Sequence, residues 1–369
     1  STTLLCNVNT CKPNKSAKAL STATACLLGP EDHGKITLVV TECRDTKYVG
    51  IHEVPDKYLD SDNLINLQTS NSNAVLTSGP YTAEYSFHKK GKSKTSRYTH
   101  AYKLTLTMPK YTDPFNFSND YNYPNPINII GGLLASAKSS GRLFDIASFT
   151  SESVEGYTPY RASAVFVVDD NSVESFNSRF EKSLESVTKK FEELEAEVEY
   201  TMEEVEVPNK VLADATCNNF LSLMYTLNTG ICLQDEETGE IDAASYIKSV
   251  NAKNGKLTLD VSLRALGQSF LDSISTEYKT TAGLCSTEYS AEKHAKIWNS
   301  DPESDLVTFF TEALSMQSQK ESNVSMRSFE NDLIYEKNSD INMIIYAYEK
   351  ENRKTVMADV VEFLDATHQ

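Results

Sequence analysis

The stretch Lys35–Gln68, KITLVVTECRDTKYVGIHEVPDKYLDSDNLINLQ, decides how the chain is read. Lys35–Thr41 alternates and is rich in Ile and Val, which reads as a buried strand. Glu42, Cys43, Arg44 and Asp45 then place acid, thiol, base and acid at its carboxyl end, where open α/β sheets usually hold ligands. A loop containing Gly50 follows, and Leu64–Leu67 reads as a second buried strand that ends in Gln68, an amide and not a carboxylate. Upstream, Ser16–Leu28 (SAKALSTATACLL) has apolar positions at helical spacing, and its small residues suit close packing on a sheet. Helix, turn, strand, loop, strand is an α/β pattern, and it occupies residues 1–78.

Beyond Thr77-Ser78-Gly79-Pro80 the texture changes to longer alternating strands, Tyr81–Phe87 and Tyr98–Met108. The basic turn between them (HKKGKSK, His88–Lys94) is the one notable positive cluster and reads as a solvated hairpin tip. Asn125–Ser139 reads as a helix with Pro126 at its first turn, and Arg142–Thr150 and Tyr160–Val168 as strands. Val173, Phe176, Phe180, Leu184, Val187, Phe191 and Leu194 recur at the spacing of one helical face. Val198, Tyr200 and Met202 then alternate with acids, an edge-type strand. Strand, helix, strand, strand, helix, strand is the ferredoxin-like order.

A second round is expected to follow: helix Asn209–Leu227, strands Gly230–Gln234, Ala243–Val250 and Gly255–Ser262 (the last delivering Arg264), helix Leu266–Ile274 and strand Ser275–Leu284. Helix Asp305–Gln317, strand Ile341–Tyr348 and helix Lys354–Thr367 restore the α/β texture. The expected organisation is a first domain over 1–78, an insertion over 79–290, and completion of the first domain over 291–369.

Composition narrows the function classes. The chain has 369 residues, too many for one ordinary core, and no run approaches the ~18 apolar residues that span a bilayer. With 35 Lys+Arg against 52 Asp+Glu, the charge of −17 argues against a nucleic-acid partner. Acid is concentrated over Asn171–Val207, with eleven Glu against four basic residues, which reads as a solvated helix face. Seven cysteines (6, 11, 26, 43, 217, 232, 285) form no CxxC pair and no zinc-type spacing, and their odd number leaves at least one free thiol unless it pairs between chains. The six histidines (33, 52, 88, 100, 294, 368) form no i, i+4 pair and read as lone side chains. Cys43 beside Arg44 reads as an inert buried thiol, since no histidine supports it as a nucleophile. Trp298 reads as a core anchor. No phosphate loop or nucleophile elbow occurs. The compartment stays open: cysteines without a framework fit the cytosol, whereas the start at Ser1 and the sequons at Asn14, Asn116 and Asn323 fit export, which is narrowly favoured.

At this point the residues resemble a known family, the aminoacyl-histidine (Xaa-His) dipeptidases, two-zinc metallopeptidases. HGKITLVVTECRDTKYVG and LINLQ stand where that family has H-G-P-L, a strand with T-V-D-E-E-T-G-M-T-G, and L-I-N-L-D. GKLTLDVSLRALGQSFLDSI, WNSDPESDL and PYRASAVFVV resemble further family segments in the same order. The resemblance implies a zinc-peptidase-like α/β/α sandwich with a large inserted α+β lid of ferredoxin-like plaits. It also implies protein partners, as a homo-oligomer or larger assembly.

The family's chemistry does not carry over residue by residue. Its general base and a zinc ligand fall on Arg44 and Asp45, and arginine cannot serve as a base at physiological pH. Its later ligand Asp falls on Gln68, and its bridging Asp near Asn7 in TTLLCNVN. Its late His has no counterpart in Tyr348–Lys354, and its lid His and Arg fall on Lys110–Phe115 and Glu155–Tyr160. Glu330 alone coincides with a family Glu. The expectation is therefore no catalytic residue, no metal and no cofactor, with Arg44, Asp45, Gln68 and Asn7 as degenerate positions. On this reading the chain is not an enzyme but a pseudo-dipeptidase with a structural, scaffolding or assembly role. The alternative is a divergent metallo-dipeptidase completed by an upstream segment or a partner.

Overall fold

The computed structural model describes residues 1–9, 13–31, 33–43, 51, 53–69, 73–108, 114–115, 124–154, 157–192, 197–237, 241–294, 300–317 and 342–367. The chain divides into two compact units, Ser1–Tyr81 with Ala295–Gln369, and Thr82–His294.

The first unit opens with β1 (Thr2–Asn9), α1 (Pro13–Leu28), β2 (Ile36–Cys43), β3 (Asn63–Thr69) and β4 (Ala74–Leu76). The strand β1 enters the sequence reading only through the family resemblance, not through its own alternation. Ala19, Ala23 and Cys26 form the buried stripe of α1, small enough for the helix to lie close on the sheet. Its Thr22 and Thr24 hydroxyls donate to the carbonyls of Lys18 and Leu20, four residues back.

The second unit contains β5 (Tyr81–Lys90), β6 (Ser93–Lys94), β7 (His100–Thr107), α2 (Pro126–Ser139), β8 (Phe144–Glu152), β9 (Arg161–Val168), α3 (Val173–Glu192), β10 (Glu199–Val205), β11 (Val211–Leu212), α4 (Asp214–Thr226), β12 (Gly230–Gln234), β13 (Ile241–Lys253), β14 (Lys256–Ala265), α5 (Gln268–Leu284) and β15 (Glu288–His294). A nine-stranded sheet runs β10-β7-β9-β8-β13-β14-β5-β15, with β12 beside β13. Its first half, β7 to β10, has its strands in the order fourth, first, third, second, the ferredoxin-like arrangement. The second half repeats that order in mirror sequence when β5, β13, β14 and β15 are counted as its four strands. The first plait is thus nested in the chain between the first strand and first helix of the second. The halves join where Ser148–Thr150 of β8 pairs antiparallel with Asn251–Lys253 of β13. Each joining strand carries a bulge, at Ile146/Ser148 and at Ile247/Ser249. Asn125 caps α2 by accepting from the Ile127 N–H, and its Nδ2 donates across to the Ile247 carbonyl of the other plait.

Two expectations for this unit are corrected. Residues 275–284, with their β-branched and aromatic content, read as a strand, but they are the second half of α5. Leu271, Ile274, Tyr278, Thr281 and Ala282 are buried at helical spacing, and Thr276 and Thr280 hydroxyls donate to carbonyls four residues back. The fourth strand is β15 instead, unread in the sequence because its side chains are largely exposed and polar. Residues 88–94 are not a solvated hairpin tip either, since β5 and β7 do not pair. Lys94 Nζ lies 2.9 Å from Asp145 and 2.6 Å from Asp214, and Asp145 is only 3% exposed.

The first unit closes with α6 (Asp305–Gln317), β16 (Met343–Tyr348) and α7 (Arg353–Ala366). Its sheet runs β2-β1-β3-β16-β4; β2, β1, β3 and β16 are mutually parallel and β4 is antiparallel. All six residues of β16 are buried, the continuous apolar run of a strand covered on both faces. One face packs on α1, α6 and α7 around Phe310, Tyr346 and Phe363. The other is covered by Ile51 and Leu59 against Leu5, Leu64 and Ile345. Each such side chain contributes roughly 1.5–3 kcal/mol on burial. The α/β class with a large inserted α+β unit is thereby confirmed.

Candidate functional site

The order β2-β1-β3 contains a reversal. From β1 the chain passes through α1 to β2 on one side, and β3 then pairs with β1 on the other. In open α/β sheets the crevice outside the carboxyl ends of two strands at such a reversal is the usual ligand site. The β1–β3 ladder runs from Thr2–Asn63 to Leu5–Asn66, while the strands extend to Asn9 and Thr69.

Asn7 and Gln68 each stand two residues beyond the last pair of that ladder, on the carboxyl ends of β1 and β3 that flank the crevice. On β2, Asn7 is level with Thr41 and Asn9 with Cys43; on β16, Gln68 is level with Ala347. Gln68 is half-buried, Thr41 buried and Glu42 exposed. Arg44 and Asp45, directly after β2, lie outside the described residues, as do Trp298 and Glu330. The side chains described at the crevice are thus the Gln68 amide, the Thr41 hydroxyl and the exposed Glu42 carboxylate. That set does not fit a co-catalytic zinc pair, which requires several carboxylate and imidazole ligands. Among the described residues, no three or more His, Cys, Asp or Glu side chains are gathered as a metal site would need. His33 stands at the surface, His88 pairs with Glu288 (3.1 Å), and His100 lies 3.8 Å from Glu204 and 4.0 Å from Asp170.

The helix-facing side of the same sheet holds a cluster the sequence reading did not find: Cys6 of β1, Cys26 and Thr22 of α1, Tyr348 of β16 and Arg353 of α7. Burial pushes the Cys6 thiol up to about 11. The Cys26 thiol rises to about 12, burial outweighing the opposing Arg353 guanidinium. Burial also raises the Tyr348 phenol, against the Thr22 hydroxyl. Both thiols stay protonated at neutral pH, so this is a packed interior and not a nucleophile. No sequence signal marked it, because its five members come from four separate elements.

In the inserted unit, β14 delivers Arg264 as expected. Its guanidinium carbon lies 4.2 Å from the centre of the Phe115 ring, and Phe115 meets Tyr246 edge-on at 5.3 Å. Stacking holds the planar fork in a fixed orientation. The expected lid positions 110–113 and 155–156 lie outside the described residues.

No family model and no curated relative matches the chain. Solved structures do. Aminoacylhistidine dipeptidase from Vibrio alginolyticus is 17% identical with a TM-score of 0.70, over 95% of this chain and 73% of that one. A tripeptidase from Staphylococcus aureus is 11% identical with a TM-score of 0.51, over 100% of this chain and 81% of that one. Aminopeptidase PepT from Bacillus cereus is 8% identical with a TM-score of 0.50, over the same shares. The chain therefore has the peptidase fold that the sequence resemblance implied. The same finding overturns the expectation that it is not an enzyme, since the solved structures that share the fold are a dipeptidase, a tripeptidase and an aminopeptidase.

Proposed function

We propose that the chain acts on short peptides at the crevice between β1 and β3, as a divergent dipeptidase whose missing metal ligands come from a partner or from sequence outside this chain. The observation that carries this reading is the likeness in fold to aminoacylhistidine dipeptidase over nearly the whole chain, combined with a strand reversal where such sheets take ligands. Asn7 and Gln68 do not supply the ionic ligands themselves, so no chemical step is assigned to a metal here. What this chain contributes is the frame: the ends of β1 and β3, which place a peptide at the crevice between them.

The test is elemental analysis of the protein purified from its native source, together with dipeptide hydrolysis before and after chelation. About two metal ions per chain and hydrolysis lost on chelation are expected. Protein with neither metal nor hydrolysis would contradict the proposal. A second reading gives the same fold a scaffolding or assembly role alongside whatever the crevice does. It is favoured by neutral amides at positions 7 and 68 on a frame whose strands and helices are otherwise intact.

A further inference from the structure

The one positive cluster in the sequence meets a second basic turn in the folded chain. The Gly91 N–H donates to the Gly255 carbonyl at 2.6 Å. Asn254 and Gly255 form the β13–β14 turn with left-handed backbone (φ 55° and 77°), and Lys253 and Lys256 face each other across it. A Cβ at Gly255 would stand 2.9 Å from the Gly91 oxygen, so glycine is what lets the two turns touch. Lys90, Lys92, Lys253 and Lys256 are all exposed, and among the described residues none of them has an ion pair. Asp214 is engaged with Lys94, and Glu288 lies against His88.

The opposite charge is concentrated elsewhere on the same sheet. Glu197, Glu199, Glu203, Glu204 and Glu206 are exposed on and beside β10, one of the two outer strands; Glu203 lies 3.6 Å from Lys103 and Glu204 3.8 Å from His100, exposed pairs that leave a net acidic edge. From β10 to β14 and β5 is five and six strand spacings, roughly 24–29 Å at about 4.8 Å each. The two surfaces therefore cannot meet within one molecule.

We infer that the paired basic turns of one copy dock on the acidic β10 edge of a second copy. The charge complementarity is between two different surfaces, so the contact is head-to-tail and leaves a free patch and a free edge on each growing chain. At physiological salt the screening length is about 8 Å, so the local pairing, and not the net −17, governs the contact. Exposed ion pairs are individually weak, and the association is accordingly salt-sensitive.

Light scattering of the full chain over a concentration series tests this. At about 20 mM salt the average mass is expected to climb with concentration, and at about 500 mM to fall back to that of the high-salt species. The variant Lys90→Glu/Lys92→Glu/Lys253→Glu/Lys256→Glu is expected to lose the salt-sensitive step, as is Glu199→Lys/Glu203→Lys/Glu204→Lys/Glu206→Lys. Mixing the two variants restores it, because each then carries the complement of the other. A wild-type mass independent of salt, either variant associating like wild type, or a mixture of folded variants that stays apart overturns the inference. So does a chain that stays single while the same lysines capture heparin or anionic vesicles.

Discussion

Both units place polar side chains where apolar ones would pack, and they do so in opposite ways. In the first, the carboxyl ends of β1 and β3 carry neutral amides at positions 7 and 68. In the inserted unit, full charges are tied down: Lys94 to Asp145 and Asp214, and Lys248 to Glu84 at 2.8 Å. The contrast separates two uses of polarity. Lys94 is a brace, and removing it leaves the buried Asp145 carboxylate without its cation. At the carboxyl end of β3 the half-buried Gln68 is neutral, which fits a place used for binding and not an ionic brace.

The comparison can be broken most sharply at Lys94. Lys94→Met leaves the buried Asp145 carboxylate without its ammonium partner and is expected to destabilise the inserted unit by about 3 kcal/mol in urea unfolding. A loss near zero would mean the pair is no brace. Within the first unit, Tyr346→Phe removes the 2.6 Å hydrogen bond to the buried Asp359 of α7 and is expected to cost about 2 kcal/mol. Gly255→Ala forces a Cβ onto left-handed backbone and against the Gly91 oxygen; about 1–2 kcal/mol is expected, read as a lower urea midpoint.

A pH series sharpens the same contrast. Hydrogen bonding to Lys94 holds the exposed Asp214 carboxyl below the usual carboxylate range. Its folded state therefore binds a proton less readily than its unfolded state, and its contribution is present above about pH 4 and lost as the pH falls further. Lys94→Met is expected to flatten that acid limb, followed as unfolding midpoint against pH. The smallest effect is expected at the crevice, where Gln68→Leu should shift stability by no more than about 0.5 kcal/mol.

Much of the fold is legible in the residues. MIIYAY can only be a strand buried on both faces, the Val173–Phe191 spacing can only be one helical stripe, and Asn125-Pro126 announces the start of α2. The second half of α5 is illegible because Tyr278 and Thr281 favour strands locally, and only their burial in the packed unit makes them helical. The nesting of one plait inside the other is illegible for a different reason. It depends on β5 pairing with β15 across some two hundred residues, which no local pattern encodes. The candidate site divides in the same way. Gln68 and Asn7 are visible as residues, but that their two strands flank a reversal follows only from the order β2-β1-β3.

If the chain acts on short peptides, the crevice between β1 and β3 is where a peptide sits. Amide hydrogen exchange with and without millimolar dipeptide tests it most directly, on the protein from its native source. Slowed exchange is expected at the ends of β1 and β3, around Asn7–Asn9 and Gln68–Thr69, with the plait joint at Ser148–Thr150 unchanged. Exchange unaltered at both strand ends under saturating dipeptide would contradict it.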